Sequence, residues 1–74
     1  MNFKTYKGKI CIKNLLTREF KENNEIESIE ELDYSIIINL NNKQSYEMLY
    51  EPINNNQIKI LEVYKINTVL PLAK

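Results

Sequence analysis

The chain has 74 residues, of which 43% are hydrophobic and 27% are charged, and its ten basic and ten acidic residues cancel. This length allows one domain, spanning residues 1–74, with one core, and it argues against an enzyme with several sites. The hydrophobic fraction excludes a disordered tail, and the zero net charge excludes a global field that would steer the chain to a polyanion or a membrane.

The cysteine count and the N-terminus both predict a cytoplasmic protein. Cys11 is the only cysteine, so no intramolecular disulfide forms, as expected in a reducing compartment. No signal peptide or membrane-spanning segment is expected, because no run of apolar residues is longer than three. Asn, Ile and Lys make up 31 of the 74 residues, a bias typical of AT-rich codons, which indicates an AT-rich bacterium, phage or plasmid as the source.

The first segment, residues 6–20, alternates apolar and polar side chains as a half-buried strand does. Ile10 and Ile12 are expected to point inward, with Cys11 on the opposite face. These 15 residues exceed the usual strand length of roughly 5 to 6, so a bend or break is expected near Asn14. For residues 14–22 the pattern is compatible with either a helix or a strand, and both alternatives are kept.

The next segment, Glu25 to Asp33, changes period and predicts a short acidic helix or helical turn. Ile26, Ile29 and Leu32 recur every three residues, as one face of a helix would. The stretch Ser28-Ile-Glu-Glu31 fits a capping box. Because so short a helix is not stable alone, it is expected to dock on a sheet through its three apolar residues.

The second half of the chain predicts a hairpin. Tyr34 to Leu40 and Tyr46 to Tyr50 each alternate apolar and polar residues, and the polar turn Asn41-Asn42-Lys43-Gln44 separates them. Pro52 has no backbone N–H to donate to a neighbouring strand, so the second strand is expected to end there.

A further strand is expected over Gln57 to Ile66, after a turn at Asn54-Asn55-Asn56. The apolar positions change phase within it, which predicts a β-bulge near Ile60-Leu61. Thr68 to Leu70 predicts a short edge strand.

Together these elements predict a mainly β fold of the α+β class. We expect a small twisted antiparallel sheet or open barrel of four to five strands, with one short acidic helix or helical turn. The expected core holds eight apolar strand residues: Ile10, Ile12, Ile36, Ile38, Leu40, Met48, Ile58 and Ile60.

The residue inventory predicts a protein that is not an enzyme and that holds no metal or cofactor. The chain has no histidine, which removes Ser-His and Cys-His nucleophile pairs and every His-containing metal site. One cysteine provides no CxxC redox pair, and one glycine provides no phosphate-binding loop. Cys11 lies between Lys9 and Lys13, which would lower the pKa of its thiol, but packing as a small apolar residue is the favoured interpretation.

Charge is segregated along the chain. Residues 1–21 carry a net charge of +5, residues 22–33 a net charge of −6, and the remainder +1. Either the acidic segment neutralises the basic segment within the fold, or it faces outward and occupies a basic surface of an unidentified protein partner. In the second case the chain is a non-enzymatic protein-binding module, an inhibitor or regulator. Its contact residues are then Glu27, Glu30, Glu31 and Asp33.

A small nucleic-acid-binding β domain is the alternative function. Lys7, Lys9 and Lys13 alternate onto one face of the expected first strand, where they would contact phosphates. The nearby aromatic residues fall on the opposite face, and the zero net charge weakens this interpretation. A third interpretation is an exposed edge strand that pairs with a partner sheet or with a second copy, giving a homo-oligomer.

Overall fold

The computed structural model describes residues 2–66 and shows a mostly β protein with one short α-helix. A 3-10 helix spans Phe3–Tyr6 near the N-terminus, and the α-helix, α1, spans Lys13–Lys21. The strands are β1 (Ile10–Ile12), β2 (Ile26–Glu31), β3 (Ser35–Leu40), β4 (Ser45–Pro52) and β5 (Gln57–Ile66).

The five strands form one antiparallel sheet in the order β1-β5-β4-β3-β2, which curls into a half-barrel. The predicted fold class is confirmed. β1 and β2 are the two edges of the sheet. α1 follows β1 directly and also contacts β2, so it crosses the open side of the curl from one edge to the other.

The core fills the inner face of the curled sheet. Its buried residues are Ile26, Ile36, Ile38, Met48, Tyr50, Ile58, Ile60 and Val63 from the strands, with Phe3, Leu16 and Phe20 from the two helices. The ring of Phe20 packs edge-on against the rings of Phe3 and Tyr6, at centroid distances of 5.9 and 5.7 Å. The two helices therefore close the concave side of the sheet.

Most of the expected core is buried, but β1 faces the other way. Ile36, Ile38, Met48, Ile58 and Ile60 are buried and Leu40 is half-buried. Ile10 and Ile12, expected inside, are 58% and 46% exposed. Cys11 pairs with the inward-facing Ile58, so both of its neighbours point outward.

The strand predicted over residues 6–20 is limited to Ile10–Ile12, and the break expected near Asn14 is confirmed. α1 begins at Lys13, directly after β1. Of the two structures considered for residues 14–22, strand and helix, the helix is therefore the one observed. Leu16 and Phe20, four residues apart, are buried on one side of α1. Ile12, which precedes the first residue of the helix, provides no side-chain cap, so packing of Leu16 and Phe20 must supply the stability of α1.

The predicted acidic helix is also wrong, because most of that segment is β2. The pairing with β3 shifts register between Ile26 and Ser28, which makes Glu27 a β-bulge. The extra residue brings Ile26 and Ile29 to the same face although they are three apart. Leu32, expected to dock, is 47% exposed. The helix of the fold is instead α1, which has three basic residues and one acidic residue.

The predicted hairpin and the strand after it are confirmed. β3 and β4 pair across the expected turn, and β4 ends at Pro52. β5 covers the predicted residues, and its pairing with β4 skips Leu61, where the change of phase predicted a bulge. The edge strand expected at residues 68–70 lies outside the described residues.

Gly8→Ala is expected to lower the free energy of unfolding by about 1–2 kcal/mol. Gly8 has a φ of 84°, a left-handed conformation that lets its N–H donate to the carbonyl oxygen of Ile60 at 2.7 Å. No atom outside Gly8 and its two chain neighbours lies within 4 Å of the position that a Cβ would take, so the cost comes from the backbone alone. Urea unfolding measures the loss, and an unchanged midpoint would contradict this conformation.

Candidate functional site

The outer face of the sheet, the side turned away from the core, is a surface that the fold leaves open. Side chains alternate along a strand, so the residues between the buried ones of β3, β4 and β5 point outward. The 3-10 helix and α1 place their buried residues in the core on the inner side. Within residues 2–66, neither helix therefore covers the outer face.

Five apolar residues form a diagonal line across the outer face, which we call the apolar stripe: Ile12, Ile10, Leu61, Leu49 and Ile37. The line crosses the neighbouring strands β1, β5, β4 and β3. Ile10, Ile12 and Leu61 are 40 to 58% exposed, whereas Leu49 and Ile37 are half-buried. Single exposed apolar residues are ordinary on a protein surface, but a contiguous group of them is typical of a contact surface.

Four glutamates lie around the apolar stripe: Glu30, Glu47, Glu51 and Glu62. Glu62 pairs across the strands with Leu49, and Glu30 and Glu47 lie on either side of Ile37. Lys59 is the one basic residue on the outer face of the described strands, and it lies between Ile10 and Glu51. The outer face therefore has an apolar centre, and the charged residues around this centre are mostly acidic.

The carboxylates of this face are held by surface contacts. The hydroxyl of Tyr64 donates to Glu47, and the side-chain amide of Asn39 donates to Glu30 at 3.2 Å. Glu62 lies 3.1 Å from the ammonium of Lys7, and both side chains are more than half exposed. An exposed ion pair of this kind contributes about 0–1 kcal/mol and leaves both groups open to a partner.

The four acidic residues predicted to bind a partner lie on different sides of β2. Glu30 belongs to the outer face. Glu31, its neighbour, points to the inner side, 3.6 Å from the ammonium of Lys21. Glu27 forms the bulge and Asp33 lies in the turn before β3, and both are exposed. The structure thus separates the four residues and places Glu30 with the glutamates of β4 and β5.

The three lysines predicted to contact nucleic acid are not aligned on one strand, because β1 contains none of them. Lys7 precedes β1 and pairs with Glu62. The ammonium of Lys9 lies 5.7 Å from the ring centroid of Tyr6. Lys13 is the first residue of α1. The regular spacing expected of a phosphate-binding strand is therefore absent from these three residues.

Lys13 belongs to a cluster at the turn between β2 and β3. Its ammonium lies 5.3 Å from the ring centroid of Tyr50, whose hydroxyl donates to the backbone carbonyls of Leu32 and Asp33 at 3.2 and 3.1 Å. The Tyr50 hydroxyl raises the pKa of Lys13 against the opposing effect of burial, and Glu31 and Asp33 raise it further. This lysine stabilises the fold's own acidic turn.

Cys11 is half-buried on the inner side of β1 and packs against the core. Burial raises the pKa of its thiol above the ordinary value of 9.0, although Lys9 acts in the opposite direction, and Glu19 adds to the rise. These surroundings favour the packing interpretation of Cys11 over the interpretation as a nucleophile activated by lysine.

Cys11 is expected to react slowly with iodoacetamide at neutral pH, because its raised pKa keeps the thiol protonated and the thiolate is the reactive form. The pH profile of the alkylation rate should have its midpoint at higher pH in the folded chain than in the chain unfolded in urea. A midpoint at or below that of the unfolded chain would contradict the assigned surroundings.

Two shallow clefts lie at opposite ends of the sheet, and both are lined mainly by amide side chains. The first is lined by Asn24, Glu25, Leu40, Asn41, Asn42, Gln44 and Tyr46, and the second by Ile12, Asn54, Asn55, Asn56 and Gln57. Neither cleft contains the paired acid and base that general acid–base catalysis uses.

Within residues 2–66, no three acidic or thiol side chains are placed to hold a metal ion. No helix in that same range is long and apolar enough to span a membrane.

No binding role is predicted from the sequence for Ile37, Leu49 or Leu61. A signal for two of them is present in the predicted hairpin, where Ile37 and Leu49 occupy the positions that alternate with core residues. Polar residues usually occupy these positions when that face of a sheet is in contact with water.

Comparison of the chain with protein-family models, curated proteins and solved structures finds no match.

Proposed function

We propose that the chain is a non-enzymatic protein-binding module, an inhibitor or regulator encoded by an AT-rich bacterium, phage or plasmid. It acts in the cytoplasm by occupying a surface of a partner protein. The contact surface is the outer face, with the apolar stripe at its centre and Glu30 among its flanking charges. The observation that carries this proposal is the alignment of Ile10, Ile12 and Leu61, all 40 to 58% exposed, in one line.

The exposed part of the apolar stripe, formed by Ile10, Ile12 and Leu61, contributes little to the stability of the isolated chain. These side chains remain in contact with water, and the core on the inner face is complete without them. Fully burying an aliphatic side chain of this size gains roughly 1.5–3 kcal/mol. Contact with a partner would release that free energy, so the stripe is better suited to binding than to folding.

The edges of the sheet are less suited to binding than its outer face. β1 has three residues, and β2 carries three glutamates and a bulge. Short edges, charges and bulges all hinder pairing with another strand. These features weigh against homo-oligomerisation through an edge strand and favour docking through the face.

A pull-down from the source cell tests the proposal. The tagged chain should retain one stoichiometric protein, and the double variant Ile10→Ser/Leu61→Ser should lose it. Leu15→Ser is the matched control, because Leu15 is 50% exposed on α1, on the other side of the sheet. This variant should retain the partner. Recovery of nucleic acid, or equal retention of the protein by the double variant, would overturn the proposal.

A further inference from the structure

We infer that the partner of the outer face presents a line of apolar side chains flanked by lysine or arginine, and that it is not a second copy of this chain. The inference rests on the proposed function and adds the chemistry of the partner. Three features of the outer face carry it: the shape of the apolar stripe, the charges beside it and the accessibility of those charges.

The shape of the apolar stripe fits a linear protein segment. Neighbouring strands lie about 4.8 Å apart and alternate residues of one strand about 7 Å apart, so the diagonal from Ile12 to Ile37 is on the order of 20–25 Å long. An amphipathic helix of about 15 residues has a line of apolar side chains of that length, since each residue adds about 1.5 Å. A partner helix of this kind would cover the stripe from end to end.

The charges of the outer face select a basic partner. Four glutamates, set against Lys59 and against Lys7 beside Glu62, give the face a net charge of −2. Basic side chains on either side of an apolar line would meet these carboxylates, raise the association rate and fix the orientation of the partner. A second copy docked face to face would bring the same negative charge against itself, and this repulsion disfavours a homodimer.

The carboxylates of the outer face are accessible to a basic partner. Glu30 and Glu47 accept hydrogen bonds from neutral groups, the amide of Asn39 and the hydroxyl of Tyr64, so these contacts leave their negative charge uncancelled. Glu62 is paired with Lys7, but its side chain is 54% exposed and is free to exchange that lysine for a basic group of a partner.

A titration with designed peptides tests the inference. The ¹⁵N-labelled chain is mixed with an 18-residue helical peptide of leucine and lysine, and separately with the same peptide carrying glutamate in place of lysine. The basic peptide should bind at least tenfold more tightly, with amide shift changes centred on β1, β4 and β5. Glu30→Gln/Glu47→Gln should weaken its binding about three- to tenfold and reduce its salt dependence. Glu31 lies next to Glu30 in β2 but on the inner side of the sheet, so Glu31→Gln should leave the affinity for the basic peptide unchanged.

Four results would overturn the inference. They are equal affinity for the two peptides, shift changes centred on α1, a dimer in sedimentation equilibrium that Ile10→Ser/Leu61→Ser dissociates, and NOEs in the free chain from residues after Ile66 to the methyls of the stripe. The last would identify the chain itself as the occupant. If the peptides do not bind while the pull-down partner still depends on Ile10 and Leu61, the partner chemistry is wrong and the protein-binding function stands.

Discussion

Ile38→Ala is expected to lower the free energy of unfolding by about 2–5 kcal/mol, because it removes a fully buried side chain from the centre of the inner face. Ile38 has 0% exposure and pairs with Ile29 on one side and Tyr46 on the other. A domain of this size has only a few kcal/mol of stability, so the variant should be largely unfolded at 37 °C. Urea unfolding followed by circular dichroism measures the loss.

Ile12→Ala is the matched control for that measurement. The chemical change is the same, but Ile12 is 46% exposed on the outer side of β1, so its loss should cost no more than about 0.5 kcal/mol. A cost near that of Ile38→Ala would mean that β1 turns its isoleucines inward, contrary to the structure.

Phe20→Ala is expected to cost about 3–5 kcal/mol, because it removes the largest buried side chain that α1 contributes to the core. Phe20 is 1% exposed and packs against Phe3 and Tyr6, so the substitution should also release the 3-10 helix. Thermal unfolding measures the loss of stability, and faster hydrogen exchange in α1 and around Phe3 would show where the fold has opened.

Leu15→Ala is the control on the same helix. Leu15 is 50% exposed, and alanine favours helices more strongly than leucine, so the change should be within about 0.5 kcal/mol of zero. If Leu15→Ala destabilised the chain as much as Phe20→Ala, the buried side of α1 would be wrongly assigned.

The fold was predictable wherever the period-2 alternation was long enough to show which side chains of a strand face the core. It was less predictable where a bulge interrupts the alternation. In β5 the change of phase at Leu61 follows two clear alternations, so it predicts a bulge. In β2 the bulge at Glu27 comes at the second residue, and the three-residue spacing from Ile26 to Ile29 then has the period of a helix. The apparent capping serine is instead a strand residue, since the Ser28 hydroxyl accepts from the side chain of Asn39 across the sheet.

β1 shows a different limit of sequence reasoning. Three alternating residues do not fix which side faces the core, and a cysteine between two isoleucines is itself a common buried residue. Pairing with β5 determines which side of β1 faces the core, because it places Cys11 opposite the inward-facing Ile58. This tertiary contact joins residues 47 positions apart, so no local pattern contains it.

The candidate site was only partly predictable for the same reason. Glu30 was predicted as a contact residue from the acidic segment, and the structure places it on the outer face. The apolar stripe draws Ile10 and Ile12 from one end of the chain and Leu61 from the other. Its existence depends on strand order and on the orientation of β1, neither of which follows from the spacing of residues.

Site-specific photo-crosslinking in the source cell tests the binding surface most directly. Tyr64 is exposed on the outer face beside Glu47, and Leu15 is similarly exposed on α1. With p-benzoylphenylalanine at position 64, we expect one discrete crosslinked protein, and with the same group at position 15 we expect none. A crosslinked partner from position 15 and none from position 64 would contradict the assignment of the outer face as the contact surface.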